Sequence, residues 1–385
     1  MKQEISAEMA RKILIVGAGL AGLGLARALE IRGVAFDIVE KSPDSVLGGA
    51  GIYLPGNASR ALARLGLLDQ VAAQGHRINH QIIHDSAGKL LHDMDVHDFW
   101  LGVGPCLSLT RGTLARILRS SVQTPILYAA VEALEQTSSG CRVVFSDGRC
   151  VEYDLVVGAD GFNSGIRKAL FGDASPRFLP QRCWRLLTEN TIGLQNWTVA
   201  LGDNRALLGI PVESGGLYIY GDAVDMLVPP PGKSTVEDMR ALFSDFTGPV
   251  ASVLTGLASR HPVHAGRLAE VPARSWISGS AILIGDAAHA SSPSMAQGGA
   301  MAFEDSWLLA ACLQGEPDTG AALSAFASRR AARVAWVQKQ CRARDATRSM
   351  PRLLRNALLS FFGDGLYRRA YGPLLDAFEA ESGAA

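Results

Sequence analysis

The sequence predicts an α/β protein: a Rossmann-like parallel-sheet domain, interrupted by an inserted domain with a mixed β-sheet and followed by C-terminal helices. Three observations carry this reading. A glycine-rich turn joins an apolar run to a stretch of helical periodicity near the N-terminus. Buried-strand patterns ending in glycine return near residues 155–158 and 280–285. Between residues 177 and 271 the texture changes to several separate strand-like runs.

The first unit can be read residue by residue. Lys12-Ile-Leu-Ile-Val16 is a short apolar run bounded by Gly17, and apolar residues then recur at helical spacing over residues 20–31. A second apolar run over residues 34–39 ends at Glu40 and completes a βαβ unit, which implies a parallel sheet. Alanine and leucine spacing predicts a helix over residues 55–73, and another follows Arg111 over residues 113–122. Residues 131–157 read as short antiparallel strands with Asp147-Gly148 as a turn.

Strand-like runs at residues 197–201, 206–210 and 217–220, with a break at Pro229-Pro230-Pro231-Gly232, predict a second, sheet-containing domain. Residues 280–284 restore a buried strand, Gly298 opens a helix back in the first domain, and the chain after Ala321 reads as helical. Seven basic side chains between Arg329 and Arg348 are expected on a solvated helix face.

Composition narrows the class. The 385 residues are 48% hydrophobic and 19% charged, which suits a packed globular protein. Lysine plus arginine and aspartate plus glutamate each number 37, so no global field recruits nucleic acid or an anionic membrane, and a small-molecule partner is expected. Six cysteines without a CxxC pair suggest neither a zinc site nor a redox dithiol, and fit a reduced, cytoplasmic chain. The first ten residues lack the apolar core of a secretory signal, and the charge-free stretch 287–303 is broken by Pro293, Gly298 and Gly299, so no transmembrane segment is expected.

Three segments carry the chemistry. Gly17-Ala18-Gly19-Leu20-Ala21-Gly22 lies between strand and helix, the setting in which GxGxxG binds a dinucleotide. Gly17 permits the turn, Gly19 lets the backbone approach a pyrophosphate, and Gly22 lets helix and strand pack closely, with the phosphates at the positive end of the helix. Glu40 is placed to accept hydrogen bonds from a ribose. The other two segments are Gly158-Ala159-Asp160-Gly161, with Ser164 and Arg167 behind it, and Gly285-Asp286-Ala287-Ala288-His289, which runs into Pro293, Gln297, Gly298 and Gly299.

In these segments the chain resembles the class A flavoprotein monooxygenases, the family of para-hydroxybenzoate hydroxylase, over nearly its whole length. Its nearest likeness is to the urate, quinolone and salicylate hydroxylase-like branch. The resemblance implies a Rossmann-like FAD-binding domain of the glutathione-reductase type, made of residues 10–75, 102–176 and 272–345. It implies a substrate-binding domain of residues 76–101 and 177–271, and a helical segment of residues 346–385. FAD bound without a covalent link would contact Gly17, Gly19, Leu20, Ala21, Gly22, Glu40, Lys41, Gly51, Arg111, Val131, Asp160, Gly161, Gly285, Asp286, Pro293, Gln297, Gly298 and Gly299. Asp286 would bond the ribityl chain, Gly298 and Gly299 would aim helix-start amides at the flavin ring, and Arg111 would reach the phosphates or ribityl. One position departs from the family: Ala296 stands where Gly-Gln-Gly is frequent.

The resemblance further implies that NAD(P)H, a transient co-substrate, reduces FAD, that O2 adds at the flavin C4a carbon, and that the resulting hydroperoxide hydroxylates a small aromatic or N-heterocyclic substrate. The alternative is a reductase, epoxidase or N-oxygenase of the same fold acting on a hydrophobic substrate. Arg205 and Tyr218 are the expected substrate-side residues, with Cys183-Trp184-Arg185 and Tyr220 nearby. The histidines at 76, 80, 84, 92 and 97 show no metal-binding pattern and read as surface or packing residues. The run Leu353-Leu354, Leu358-Leu359, Phe361-Phe362 is expected to roof the pocket, with a partner or membrane contact as alternatives. A monomer or homodimer is expected.

Overall fold

The computed structural model describes residues 11–43, 50–172, 174–224, 235–272 and 275–379. The N-terminal ten residues and the Pro229-Pro230-Pro231-Gly232 break lie outside the described residues.

The first layer is a six-stranded sheet. Five strands run parallel, in spatial order Ala281–Leu283, Leu155–Gly158, Ile13–Val16, Asp37–Glu40 and Ile126–Tyr128, and Ile277–Ser278 is added antiparallel at one edge. Every residue of Ile13–Val16 and of Leu155–Gly158 is buried, as a parallel sheet covered on both faces requires. The helix Leu20–Ile31 begins within four residues of the first strand and packs along the helix Gly298–Gly315, so distant parts of the chain close one core.

Residues 55–73 form two helices rather than one, Gly56–Arg64 and Leu68–Gln74. The break is at Gly66, whose φ of +71° is a left-handed stop that glycine adopts without strain. Residues 131–153 form the expected antiparallel meander, three strands turning at Gly148.

The second large sheet has seven strands in the order His264–Glu270, Arg177–Glu189, Gly216–Val224, Arg205–Val212, Trp197–Gly202, His80–Asp85 and Leu90–Asp95. It is mixed, because Trp197–Gly202 pairs parallel with His80–Asp85 while the other pairs are antiparallel. Strand alternation divides its side chains between two environments. Trp184, Leu186, Leu207, Leu217, Ile219 and Ala223 pack outward against the helices Val236–Leu242 and Pro249–Gly256, forming a separate core with Phe243 and Phe246. The opposite face looks toward the first sheet.

The helical end consists of Thr319–Ala346 and Arg352–Tyr371, separated by a 3-10 turn and Pro351. The basic run over residues 329–348 is a solvated face only in part: Lys339 and Arg342 are exposed, while others turn inward. Arg330 is fully buried, Arg333 pairs with Glu304, Arg342 with Glu270, and Arg348 with Asp222. Arg330, Arg333 and Arg348 each meet a carboxylate that is itself buried, and so offset its charge.

Candidate active site

The three glycine turns lie together at the carboxyl ends of the parallel strands. Gly17 has φ +104°, and a Cβ there would stand 2.6 Å from the Ala159 carbonyl oxygen and 2.9 Å from Asp160 Cα, so the first turn rests directly on the second. A Cβ on Gly285 would stand 2.7 Å from the Ala21 methyl group, so the third turn rests on the start of the first helix. Backbone bonds tie the group further: Gly17 N donates to Val39 O, Ala159 N to Val16 O, and Ile284 N to Gly158 O.

Within this cluster the glycines differ. Gly22 is closed in, because an added Cβ would lie 1.8 Å from the Gly17 carbonyl oxygen. Gly19, the N-cap of the helix, has nothing within 4 Å of such an atom. Open space at a helix amino end, above free first-turn amides, is the cradle a diphosphate requires. Leu20 and Ala21 form the first turn of that helix.

Glu40 is buried, and its carboxylate accepts from Ala18 N at 2.9 Å and from Ser42 N at 3.1 Å. It therefore braces the glycine turn as well as standing beside it. Lys41 follows it on the surface, and Ala129 N bonds Glu40 O, which brings Val131 to the same edge. The Asp160 carboxylate accepts from Ser164 Oγ and from the amides of Gly165 and Ile166, so it fastens the helix Gly165–Phe171 behind the turn, with Gly161 at φ +77° beside it. Arg167 is buried and ties this helix to the third turn by donating to Ala287 O at 2.9 Å.

A buried polar chain locks the third turn to the helix that starts at Gly298. Asp305 accepts from Gly285 N at 2.9 Å, lies 2.7 Å from His289 Nε2, and pairs with Arg330 at 2.8 Å. Arg330 and Arg333 both reach Glu304, which also accepts from Asn57, and Asn57 bonds the Gln297 side chain at 2.9 Å. Burial pushes the Glu304 and Asp305 carboxyls up, but their neighbours outweigh it: Arg333 and Arg330 around Glu304, and the His289 ring and Arg330 around Asp305. Both finish below the usual carboxylate range. The Gln297 side chain is thus held by Asn57 and does not cap the helix that it precedes. Ala296, the departure noted in the sequence, takes φ +50° and ψ 34°, the left-handed conformation that glycine adopts at no steric cost.

A chamber of about 710 Å³ opens beyond these turns. Asp286, Pro293, Gly298 and Gly299 line one end of it, joined by Gly51 and Arg111 from the paired strands Gly51–Leu54 and Leu107–Thr110. Arg111 is the first residue of the helix Arg111–Ser121, whose N-cap Thr110 is held by Glu213. Gly51 lies flat against Tyr218, where a Cβ would stand 2.4 Å from the ring.

The facing wall is the inner side of the seven-stranded sheet, which presents Arg185, Trp197, Val199, Leu208, Ile210, Tyr218 and Tyr220. Tyr218 is buried, and its phenol is pushed up to about 12, chiefly by desolvation and despite nearby Arg185. It is a neutral hydrogen-bond donor at physiological pH. Gln81 Nε2 and Trp197 Nε1 are buried donors without a partner among the described residues.

Arg205 is not in the chamber. It points to the outer face, where it donates to Leu242 O, pairs with Asp245 at 2.9 Å and stacks over Phe246. The reason is strand parity: Leu208 and Ile210 face inward on that strand, so Arg205, like Leu207, faces out. Arg185 does line the chamber, as do Arg111, Arg267, Arg344, Arg348 and Arg355, and its strand neighbours Trp184 and Leu186 belong to the outer core. Its charge was legible as a candidate, but its facing could be fixed only by the register of its strand.

The helix Arg352–Tyr371 covers the chamber with Leu358, Leu359, Leu366 and Tyr367. Gly363 lets it approach His92 closely, Asp364 lies 2.8 Å from His92 Nε2, and Trp100 Nε1 donates to Tyr367 OH at 3.3 Å. His92, read from the sequence as a surface or packing residue, is a packing residue here. It also lines the chamber.

The fold and the three-turn site define an FAD-binding α/β enzyme. The profile of the FAD binding domain family matches residues 10–340. The chain belongs to that family and is a flavin-dependent monooxygenase, in company with relatives that act on aromatic and heterocyclic compounds. It is 33% identical to the aurachin C monooxygenase/isomerase of Stigmatella aurantiaca, over 82% of this chain and 83% of the relative. It is 32% identical to the 2-heptyl-3-hydroxy-4(1H)-quinolone synthase of Pseudomonas aeruginosa, over 85% of this chain and 87% of the relative. Among solved structures, Klebsiella pneumoniae HpxO complexed with FAD and uric acid superposes with a TM-score of 0.84 at 23% identity, covering 97% of this chain and 98% of the other. A salicylate hydroxylase substrate complex gives 0.80 at 21% identity, covering 97% and 99%. These two likenesses show the fold.

Proposed function

We propose that the protein uses NADH or NADPH and O2 to hydroxylate an aromatic or N-heterocyclic ring bearing an apolar substituent. The observation that carries this is the chamber itself. One end is lined by Asp286, Arg111, Gly298 and Gly299, the sheet side offers Arg185 and Tyr218, and Ile83, Met94, Val199, Leu201 and Leu208 supply apolar wall between these and a polar part that includes Asp222, Arg267 and Arg348. The name of the quinolone synthase relative, which specifies a heptyl-bearing ring, supports an apolar substituent.

FAD, held without a covalent link, supplies the oxygen-activating redox chemistry when bound. The chain's residues do the rest. The Gly17–Gly22 turn, Glu40, Lys41 and Val131 hold the nucleotide end, Asp160 and Gly161 stand by the diphosphate, and Gly285, Asp286, Pro293 and Gln297 shape the flavin end. The amino end of the Gly298–Gly315 helix directs fixed dipoles at developing negative charge there, without a mobile cation. Arg185 orients an anionic or enol-like oxygen of the substrate, Tyr218 donates a hydrogen bond to it, and Gln81 and Trp197 supply further donors. The covering helix excludes water.

In this reading residues 76–101 and 177–271 act as the substrate-binding domain around a discontinuous FAD-binding domain. All six cysteines are unpaired, which fits a reducing, cytoplasmic setting. No helix among the described residues is long and apolar enough to cross a membrane.

The test is NAD(P)H oxidation by the purified FAD-loaded protein over a panel of phenols, salicylates and alkylated quinolones under labelled oxygen. Substrate-stimulated oxidation with one labelled atom in the product is expected. Oxidation that yields only hydrogen peroxide with every compound would refute hydroxylation, and product without labelled oxygen would assign a reductase instead.

A further inference from the structure

On either side of Pro293 the chamber wall carries two hydroxyls, Ser292 and Ser294, that lead to a carboxyl behind it. Ser294 Oγ donates to Asp345 Oδ1, and Ser292 Oγ lies 2.9 Å from Ser294 Oγ. A hydroxyl has one proton to give and lone pairs to receive. The Ser294 proton is committed to Asp345, so within the serine pair Ser292 is the donor. Its own oxygen is left as an acceptor that no donor among the described residues meets, since the Cys341 thiol bonds the Ser292 carbonyl instead. The chain therefore has a direction, from the chamber to Asp345.

The other proton acceptors of the chamber are engaged. Asp222 is held on both oxygens by Arg348, at 3.1 and 3.2 Å, His92 Nε2 faces Asp364, and Asp286 stands at the flavin end. Asp345 itself is half-buried. Around it stand Cys341 and Arg344 of its own helix, Arg348 of the turn that follows, Asp222 of the strand Gly216–Val224 and the two serines, with Tyr371 of the covering helix under Arg344. Burial draws the Asp345 carboxyl above its usual range; the serine hydroxyls and Arg348 pull the other way, and Asp222 adds to the rise. A carboxylate drawn up in this way accepts a proton near neutral pH more readily than an exposed one.

We propose that Ser292, Ser294 and Asp345 form the route by which a bound ring loses its O–H or N–H proton before it is hydroxylated. The inference rests on the proposed reaction, because a ring that is to meet an electrophilic oxygen is activated by becoming an anion. The substrate O–H or N–H bond breaks as a bond to Ser292 Oγ forms. The Ser292 proton passes to Ser294, and the Ser294 proton passes to Asp345, which becomes a carboxylic acid and then releases the proton to water. No electron changes hands, and both serines end as they began. Arg185, facing the same chamber, supplies positive charge to the anion that remains.

The experiment uses the full-length, FAD-loaded protein without NAD(P)H or oxygen, so proton transfer is read whether or not hydroxylation follows. 4-Nitrophenol, whose anion absorbs visible light, is mixed rapidly with the protein at a pH where the free compound is mostly protonated. Wild type should generate the bound anion, at a rate that falls as acid protonates Asp345. Asp345→Asn keeps a hydrogen bond to Ser294 but accepts no proton. It should ionise the probe more slowly, on the order of a hundredfold, and without the acid limb, while melting temperature and flavin content stay unchanged. Ser294→Ala should slow the step likewise, and Asp345→Glu should restore most of the rate. The proposal is overturned if wild type binds the probe without ionising it, if Asp345→Asn and Ser294→Ala ionise it as fast as wild type does, or if Asp345→Asn retains the acid limb. Absence of labelled oxygen from every product, with these rates as expected, would count against hydroxylation and leave the proton route standing.

Discussion

Gly19 and Gly22 stand three residues apart in one helix start, and the structure requires opposite consequences from the same substitution at each. In Gly22→Ala the new methyl carbon would lie 1.8 Å from the Gly17 carbonyl oxygen, well inside the 3.0 Å that such atoms do not cross. Both partners are backbone, so the helix must move away from the strand by about 1 Å, a misplacement that costs about 3 kcal/mol or more in a packed core. In Gly19→Ala the methyl meets nothing within 4 Å. Gly19 is in extended conformation with φ −80°, so the apoprotein loses only the N-cap preference, about 1 kcal/mol at most. The space it fills is the cradle assigned to the diphosphate. Displacing one or two charge-assisted hydrogen bonds, each worth about 1.5–3 kcal/mol, should weaken FAD on the order of a hundredfold. The assay is thermal melting of apoprotein together with FAD titration by flavin fluorescence. Gly22→Ala should lower the apoprotein melting temperature sharply, and Gly19→Ala should not, while losing FAD. Unchanged FAD affinity in Gly19→Ala would show that the open space over this helix end is not the phosphate site.

Further perturbations separate the other parts. Arg185→Gln should raise KM tenfold or more with FAD affinity unchanged, whereas Arg205→Ala, on the outer face, should leave KM within about twofold; the reverse pattern in steady-state kinetics would return the substrate role to Arg205. Glu304→Gln should cost about 3–5 kcal/mol in denaturant unfolding, because it leaves Arg330 and Arg333 buried and underpaired. Since the folded carboxyls of Glu304 and Asp305 lie below their unfolded values, their contribution is complete above about pH 4–5 and is lost as pH falls through the folded values; a melting temperature indifferent to acid would contradict it. Ala296→Gly should raise stability by up to about 1 kcal/mol by relieving left-handed strain, measured by the same unfolding. Truncation after Met350 should remove the cover over the chamber and its Tyr367 and Tyr371 anchors, lowering turnover and stability more than flavin content.

Much of the first domain was legible because its signals are local. Glycine at a strand-to-helix turn has few other uses, and the helix Leu20–Ile31 follows from periodicity alone. The position of all three turns at one end of the sheet followed once each was seen to end a parallel strand. What the sequence concealed depends on partners far along the chain. Strand parity decides that Arg205 points away and Arg185 points in, and no local pattern fixes that parity on a sheet with apolar cores on both faces. The basic run at residues 329–348 reads as solvated until Glu304, Asp305, Glu270 and Asp222 are brought against it. Glu40 and Asp160 were expected at the cofactor, and each is also a brace, bonding Ala18 N and the Gly165–Phe171 helix respectively. The bracing depends on where the chain brings their backbone partners, which no local pattern shows.

Titration of apoprotein with FAD and with FMN, followed by the shift of the flavin absorbance bands, tests the account most directly. The two cofactors share the isoalloxazine, ribityl and one phosphate, and differ in the adenosine half that the Gly17–Gly22 turn and Glu40 are proposed to receive. One FAD should bind per chain, with FMN weaker by orders of magnitude. Equal affinity for both, or no band shift with either, would mean that the three turns do not form one dinucleotide site.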